Sequence, residues 1–172
     1  ELWSWWWYLN DNKEMEGHYV DGRKNGIWTW WFDSGTKQSE GHYIDDEQDG
    51  LWSYFSKDGS VAEELTFSGG KRDGRSTVWL TPEEKQEEKF YKNGKLDGPS
   101  TFWENGYRST MTTYRSDSPE GPWVIWFSNS DQIKEQGFHQ KGIREGLTTY
   151  YYEDGTMQRE GFFKEGLPDG MW

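Results

Sequence analysis

Asn25-Gly26-Ile27-Trp28-Thr29-Trp30-Trp31-Phe32-Asp33-Ser34-Gly35, followed five residues on by Glu40-Gly41-His42-Tyr43-Ile44, is the stretch that decides the fold. Aromatic and β-branched residues at this density read as strand, and nothing in them has a helical period. Asp33-Ser34-Gly35 interrupts the run with a glycine able to take the positive φ of a tight hairpin, after which the chain returns. The stretch is therefore one β-hairpin.

Its opening step recurs. An acidic or amide residue precedes glycine at Asn25-Gly26, Asp49-Gly50, Asp73-Gly74, Asp97-Gly98, Glu120-Gly121, Glu145-Gly146 and Asp169-Gly170, at intervals of 24, 24, 24, 23, 25 and 24 residues. A period so regular, and long enough for one supersecondary unit, marks a stacked array. The modules are expected at 1–25, 26–49, 50–73, 74–97, 98–120, 121–145 and 146–169, with 170–172 opening a further strand. Second turns such as Asp21-Gly22, Gly69-Gly70 and Asn93-Gly94 link them. The expected fold is all-β, an elongated antiparallel meander of about 14 strands in one open sheet.

The repeated combination of Gly26, Trp28, Trp31 and Phe32, a turn glycine, then Glu40-Gly41 and Tyr43 resembles the MORN repeat, in the variant found in bacterial proteins often labelled antitoxins. The resemblance covers essentially the whole chain and is best over residues 1–55 and 121–172. It implies a non-catalytic β-hairpin array that mediates protein association, with phospholipid contact proposed for some members. For the bacterial branch it implies neutralisation of a toxin or effector.

Composition narrows the partner. Thirty-one Asp and Glu against 19 Lys and Arg give a net charge of −12, which repels nucleic acid and anionic lipid and attracts a basic protein. Membrane contact ranks low. Apolar residues make up 31% and aromatics 19%, with 13 Trp, so large flat rings rather than aliphatic volume must form the core. The absence of cysteine excludes disulfides and thiolate chemistry. No run approaches the roughly 18 apolar residues of a membrane helix, and Glu1-Leu2-Trp3-Ser4 is not a signal peptide, so the compartment stays open. The chain begins without Met and closes at the repeat phase at which it opens, as expected of a piece of a longer product or of modules able to continue end to end.

Strand alternation sorts the rings into two columns. Trp3, Trp28, Trp52, Ser76, Ser100, Trp123 and Thr148 share one face, and Trp6, Trp31, Phe55, Trp79, Trp103, Trp126 and Tyr151 the other. The second column is unbroken and is expected to be the stacking ladder between hairpins. The first is interrupted by two serines in a region that also holds Pro82, Pro99, Pro119 and Pro122. A bend or groove bounded by Trp52, Ser76, Ser100 and Trp123, with Pro82 and Pro119, is the candidate partner-binding site; the alternative is that Val78 and Phe102 fill the space. Asp49, Asp73, Asp97, Glu120 and Glu145 form an acidic row for a basic partner, with Glu16, Glu40, Glu64, Glu88 and Glu160 a second. Taken singly, such carboxylates read as turn residues bonded to their own backbone.

His18, His42 and His139 read as structural or surface histidines rather than metal ligands. No catalytic motif, metal site or cofactor is expected. Two rival functions remain: self-assembly through sheet edges or ends, and binding of carbohydrate or phospholipid on the aromatic faces.

Overall fold

The computed structural model describes residues 1–8 and 11–170. Among the described residues there is no helix, and so none long and apolar enough to cross a membrane. The chain divides into two compact units, residues 1–83 and 84–172, each an antiparallel meander whose strand order follows the chain. The first holds β1 (Leu2–Trp6), β2 (Lys13–Val20), β3 (Arg23–Trp31), β4 (Lys37–Ile44), β5 (Glu47–Phe55), β6 (Val61–Ser68) and β7 (Lys71–Thr81). The second holds β8 (Glu84–Lys92), β9 (Lys95–Glu104), β10 (Tyr107–Arg115), β11 (Ser118–Trp126), β12 (Ile133–Gln140), β13 (Ile143–Arg144), β14 (Gly146–Tyr151), β15 (Met157–Lys164) and β16 (Leu167–Asp169).

The all-β hairpin meander expected from the sequence is the observed fold. There are 16 strands among the described residues rather than about 14, because Glu145 separates β13 from β14 and the closing strand is formed as β16. Residues 171 and 172, assigned to that closing strand, lie outside the described residues.

Most of the periodic glycines lie within a strand, whereas Gly146 opens β14. Gly26 and Gly50 lie inside β3 and β5, at φ 82° and 74°. The β2–β3 register shifts there, between Glu16 and His18, and the β4–β5 register between Glu40 and His42. These are β-bulges, and glycine suits them because the left-handed backbone has no room for a Cβ. Beside each bulge, the His18 and His42 carbonyls accept the indole N–H of Trp28 at 3.2 Å and of Trp52 at 3.1 Å.

Turns are tied to turns one module away. In the first unit the Asp46 amide donates to the Lys24 carbonyl at 3.0 Å while the Asp46 carboxylate accepts the Lys24 amide at 2.8 Å. Asp117 repeats both bonds with Leu96 in the second, at 2.9 and 2.8 Å. This link between successive hairpin ends makes the period a structural unit as well as a sequence one.

A single sheet has no second layer to cover it, so its core must lie on its own backbone. Trp28 and Trp52, 0% and 2% exposed, lie flat on the neighbouring strand. A Cβ at Gly17 would stand 2.1 Å from Trp28 Cδ2, and one at Gly41 2.1 Å from Trp52 Cδ2. Glycine on one strand thus makes the seat for an indole from the next. Tyr19 and Tyr43 meet these indoles edge-on at centroid distances of 5.0 Å, and Trp30 lies 5.7 Å from both Trp28 and Trp52. Such pairs add about 0.5–1.5 kcal/mol each beyond burial.

Candidate partner-binding faces

The ring contacts of the first unit follow the first column, Trp3, Trp28 and Trp52, with Trp5, Trp30 and Tyr54 beside it. This differs from the expectation that the unbroken second column would be the stacking ladder. In the second column a cation stands against the rings. Lys13 Nζ lies 5.8 Å from the centroid of Trp6 and 5.7 Å from that of Trp31. Lys37 reaches Phe55 at 5.7 Å, Lys85 reaches Trp103 at 5.5 Å, and the Arg108 guanidinium lies 4.9 Å over Trp126. Flat rings that lack a glycine seat are bridged by a charge attracted to their π faces.

Each of these lysines also binds the glutamate three residues on: Lys13 to Glu16, Lys37 to Glu40 at 2.8 Å, and Lys85 to Glu88 at 2.8 Å. The Lys37 hydrogen bond holds the Glu40 carboxyl below the usual carboxylate range; partial burial opposes this, and Thr29, donating at 3.0 Å, adds to it. Glu16, Glu40 and Glu88 of the second acidic row are thereby neutralised within the array. Glu64 departs from the pattern. Val61 occupies the lysine position, and Glu64 makes no ion pair or hydrogen bond among the described residues.

Of the row Asp49, Asp73, Asp97, Glu120 and Glu145, the last three are built into the stacked turns. Asp97 accepts the Ser116 amide at 3.3 Å, Glu120 the Lys141 amide at 2.7 Å, and Glu145 the Glu165 amide at 2.8 Å. Each bonds the backbone of the next turn rather than its own, at the exposed surface. Bonding to the local backbone does occur in the intramodule turns: Asp58 and Asp154 each accept an amide and a hydroxyl two residues on, which lowers both carboxyls.

The two serines are buried, Ser76 at 4% and Ser100 at 2% exposure. Their cross-strand partners are Leu65 and Lys89, at the repeat position held elsewhere by Gly17 and Gly41. The large and small residues have changed strands: glycine seats tryptophan in the early modules, whereas Leu65 stands against Ser76. Neither serine presents an open surface, and Ser100 has Thr112 as its register partner on the following strand. Trp52 and Trp123 are equally covered, at 2% and 3%. Trp123 nonetheless reaches the floor of a shallow recess of about 460 Å³ in the second unit, with Phe138 and Leu147. Pro119 lies in β11, where its carbonyl accepts the Gly142 amide at 2.9 Å. Pro82, just past β7, borders a smaller recess of about 250 Å³ with Val61, Glu64 and Trp79. Of the six residues named from the sequence, Trp52, Ser76 and Pro82 belong to the first unit and Ser100, Pro119 and Trp123 to the second.

The lysine spacing was legible in advance. Lys13, Lys37 and Lys85 each precede a glutamate by three residues at repeat spacing, and Val61 breaks that series. The cross-strand exchange of Leu65 and Ser76 has no comparable local signal.

His139 differs from His18 and His42. It lies 5.8 Å from Trp123, its Nδ1 is buried without a hydrogen-bond partner, and Arg144 stands opposite it in register. Burial, then the Arg144 charge, pushes its pKa below 6.5. The unfolded chain therefore takes up a proton near that value while the folded chain resists it. Stability of the second unit is expected to be full above about pH 6.5 and to fall as the pH drops below it. Urea unfolding of wild type and His139→Asn on either side of that pH checks this; the variant should lose that part of the slope.

Among the described residues no three His, Asp or Glu side chains gather as a metal site. No curated protein matches the chain. Residues 24–45, 48–68 and 144–165, which cover the hairpins β3–β4, β5–β6 and β14–β15, match the family described as the MORN repeat variant, in support of a MORN-repeat protein.

Proposed function

We propose that the array is a non-catalytic scaffold that presents an acidic, aromatic-rich sheet to a basic protein. The observation that carries this reading is the unequal fate of the two charges. Lys13, Lys24, Lys37, Lys85, Lys89, Arg108, Arg144 and Arg159 are drawn over aromatic rings of the array itself. Carboxylates of the turn row accept bonds from neutral amides at the exposed surface and so keep their charge, in a chain of net charge −12. A cation over a ring keeps its charge, so the field is that of a chain of net charge −12, and the exposed carboxylates of the turn row are where an approaching molecule meets it. The resemblance to the bacterial members supports neutralisation of a toxin or effector as the setting.

Calorimetric titration with a lysine-rich peptide, against a glutamate-rich peptide of equal length, tests the reading. The basic peptide is expected to bind in low salt, and to weaken at least tenfold when ionic strength rises from about 0.05 to 0.5 M, because exposed charges are screened over a shorter length. Equal binding of both peptides, or none of the basic one, overturns it.

A further inference from the structure

In the first unit the recess at Val61 is a lysine slot without its lysine. In three other modules the residue at this repeat position, Lys13, Lys37 or Lys85, places its ammonium between an aromatic ring of the next strand and the glutamate three residues on. At Val61 the receiving groups persist without the cation. Trp79 is the ring of the next strand and Glu64 the carboxylate, and both line the same recess with Pro82. Thr77, the register partner of Glu64 on β7, is 1% exposed and its Oγ1 has no hydrogen-bond partner. At the occupied position Glu40 accepts both Lys37 at 2.8 Å and the hydroxyl of Thr29, its register partner on the preceding strand, whereas Glu64, whose partner on the preceding strand is Ser53, accepts neither bond among the described residues.

We propose that this recess receives a lysine side chain of the partner protein, its ammonium held by Glu64 and Trp79 and its methylene stem lying along Val61 and Pro82. The chemistry is the one the chain uses on itself. A carboxylate supplies a charge-assisted hydrogen bond and an indole supplies the strongest π face for a cation. Val61 removes the internal competitor and leaves an apolar wall for the stem. The inference rests on the reading of the array as a dock for a basic protein, and it names the position where one side chain of that partner is seated.

The test follows the Trp79 indole N–H by NMR, assigned with Trp79→Phe, while Nα-acetyl-lysine N-methylamide is added; the norleucine analogue is the uncharged control. A saturable shift with a midpoint on the order of tens of millimolar is expected for a single exposed cation–π and carboxylate contact. The Trp103 indole, already facing Lys85, should stay in place. Val61→Lys, which fills the slot from within, should abolish the response, and Glu64→Gln should weaken it about fivefold or more. Val61→Lys should also raise the thermal midpoint by restoring the missing bridge, a readout that shows the variant is folded.

No saturable shift at Trp79, an equal shift with the norleucine analogue, or an unchanged shift in Val61→Lys overturns the slot. If the lysine-rich peptide still binds with salt-sensitive affinity in that event, the acidic-scaffold reading stands without it. A Trp79 response without peptide binding supports the slot and overturns the wider reading.

Discussion

Gly41→Leu is expected to destabilise the first unit by about 3 kcal/mol, and to cost far less when Trp52→Ser is already present. The cause is steric. A Cβ at Gly41 would lie 2.1 Å from Trp52 Cδ2, an overlap with a rigid, 2% exposed ring that has no empty volume to enter. The array nevertheless contains the compensated arrangement one module later, where Leu65 lies between Trp52 on one neighbouring strand and Ser76 on the other. In the double variant the leucine introduced at position 41 would lie between Trp28 and the serine introduced at position 52, in the same relation. Trp52→Ser alone removes a buried indole and should cost about 3–5 kcal/mol. The double variant should be no less stable than Trp52→Ser alone, which corresponds to a coupling of roughly 3 kcal/mol in the double-mutant cycle. Urea unfolding measures all four proteins. Additive losses would mean that the Gly41–Trp52 and Leu65–Ser76 pairs are not equivalent solutions to one packing problem.

Trp28→Ala should be the most damaging single truncation in the first unit, at about 3–5 kcal/mol. Trp28 is fully buried, lies on Gly17, meets Trp5, Trp30, Tyr19 and Tyr43, and carries Lys24 Nζ 4.6 Å from its ring centroid. Its indole N–H also donates to the His18 carbonyl beside the bulge, a bond that truncation removes. Trp31, on the same strand but the opposite face, is only half-buried and bridged by Lys13. Trp31→Ala should cost about a third as much, in line with a ring held by one cation and partial burial. Comparable losses at the two positions would mean that the two columns contribute equally.

The hairpins were readable because each is written in local chemistry. Aromatic runs make strands, and turn triplets such as Asp33-Ser34-Gly35 and Asp154-Gly155-Thr156 reverse the chain by bonds that stay within a few residues. Seven copies in phase reinforce one another, so the meander follows from spacing. Gly26 and Gly50, which mark module boundaries in the sequence, are bulges within β3 and β5, a distinction the sequence does not make because hairpin and bulge glycines share the same left-handed backbone. Taken singly, the carboxylates of the turn row read as bonded to their own backbone, but the donors to Asp97, Glu120 and Glu145 lie about 20 residues away, beyond the reach of any local pattern.

The two ring columns mark the boundary most clearly. Alternation alone places Trp28 and Trp31 on opposite faces, and it did so correctly. Which column would be covered was decided by residues on neighbouring strands. Gly17 and Gly41 let indoles lie on the backbone, Leu65 and Lys89 stand opposite the two serines, and Lys13 and Lys37 bridge the rings of the other face. By itself, then, the sequence determined the period, the hairpin and the alternation of faces, all of which depend on contacts within one module. Only the tertiary structure decided which face forms the core and where a cation is missing. Those outcomes depend on whether a large side chain meets a glycine, a serine or a charge across the strand, and that meeting exists only once bulges have set the register.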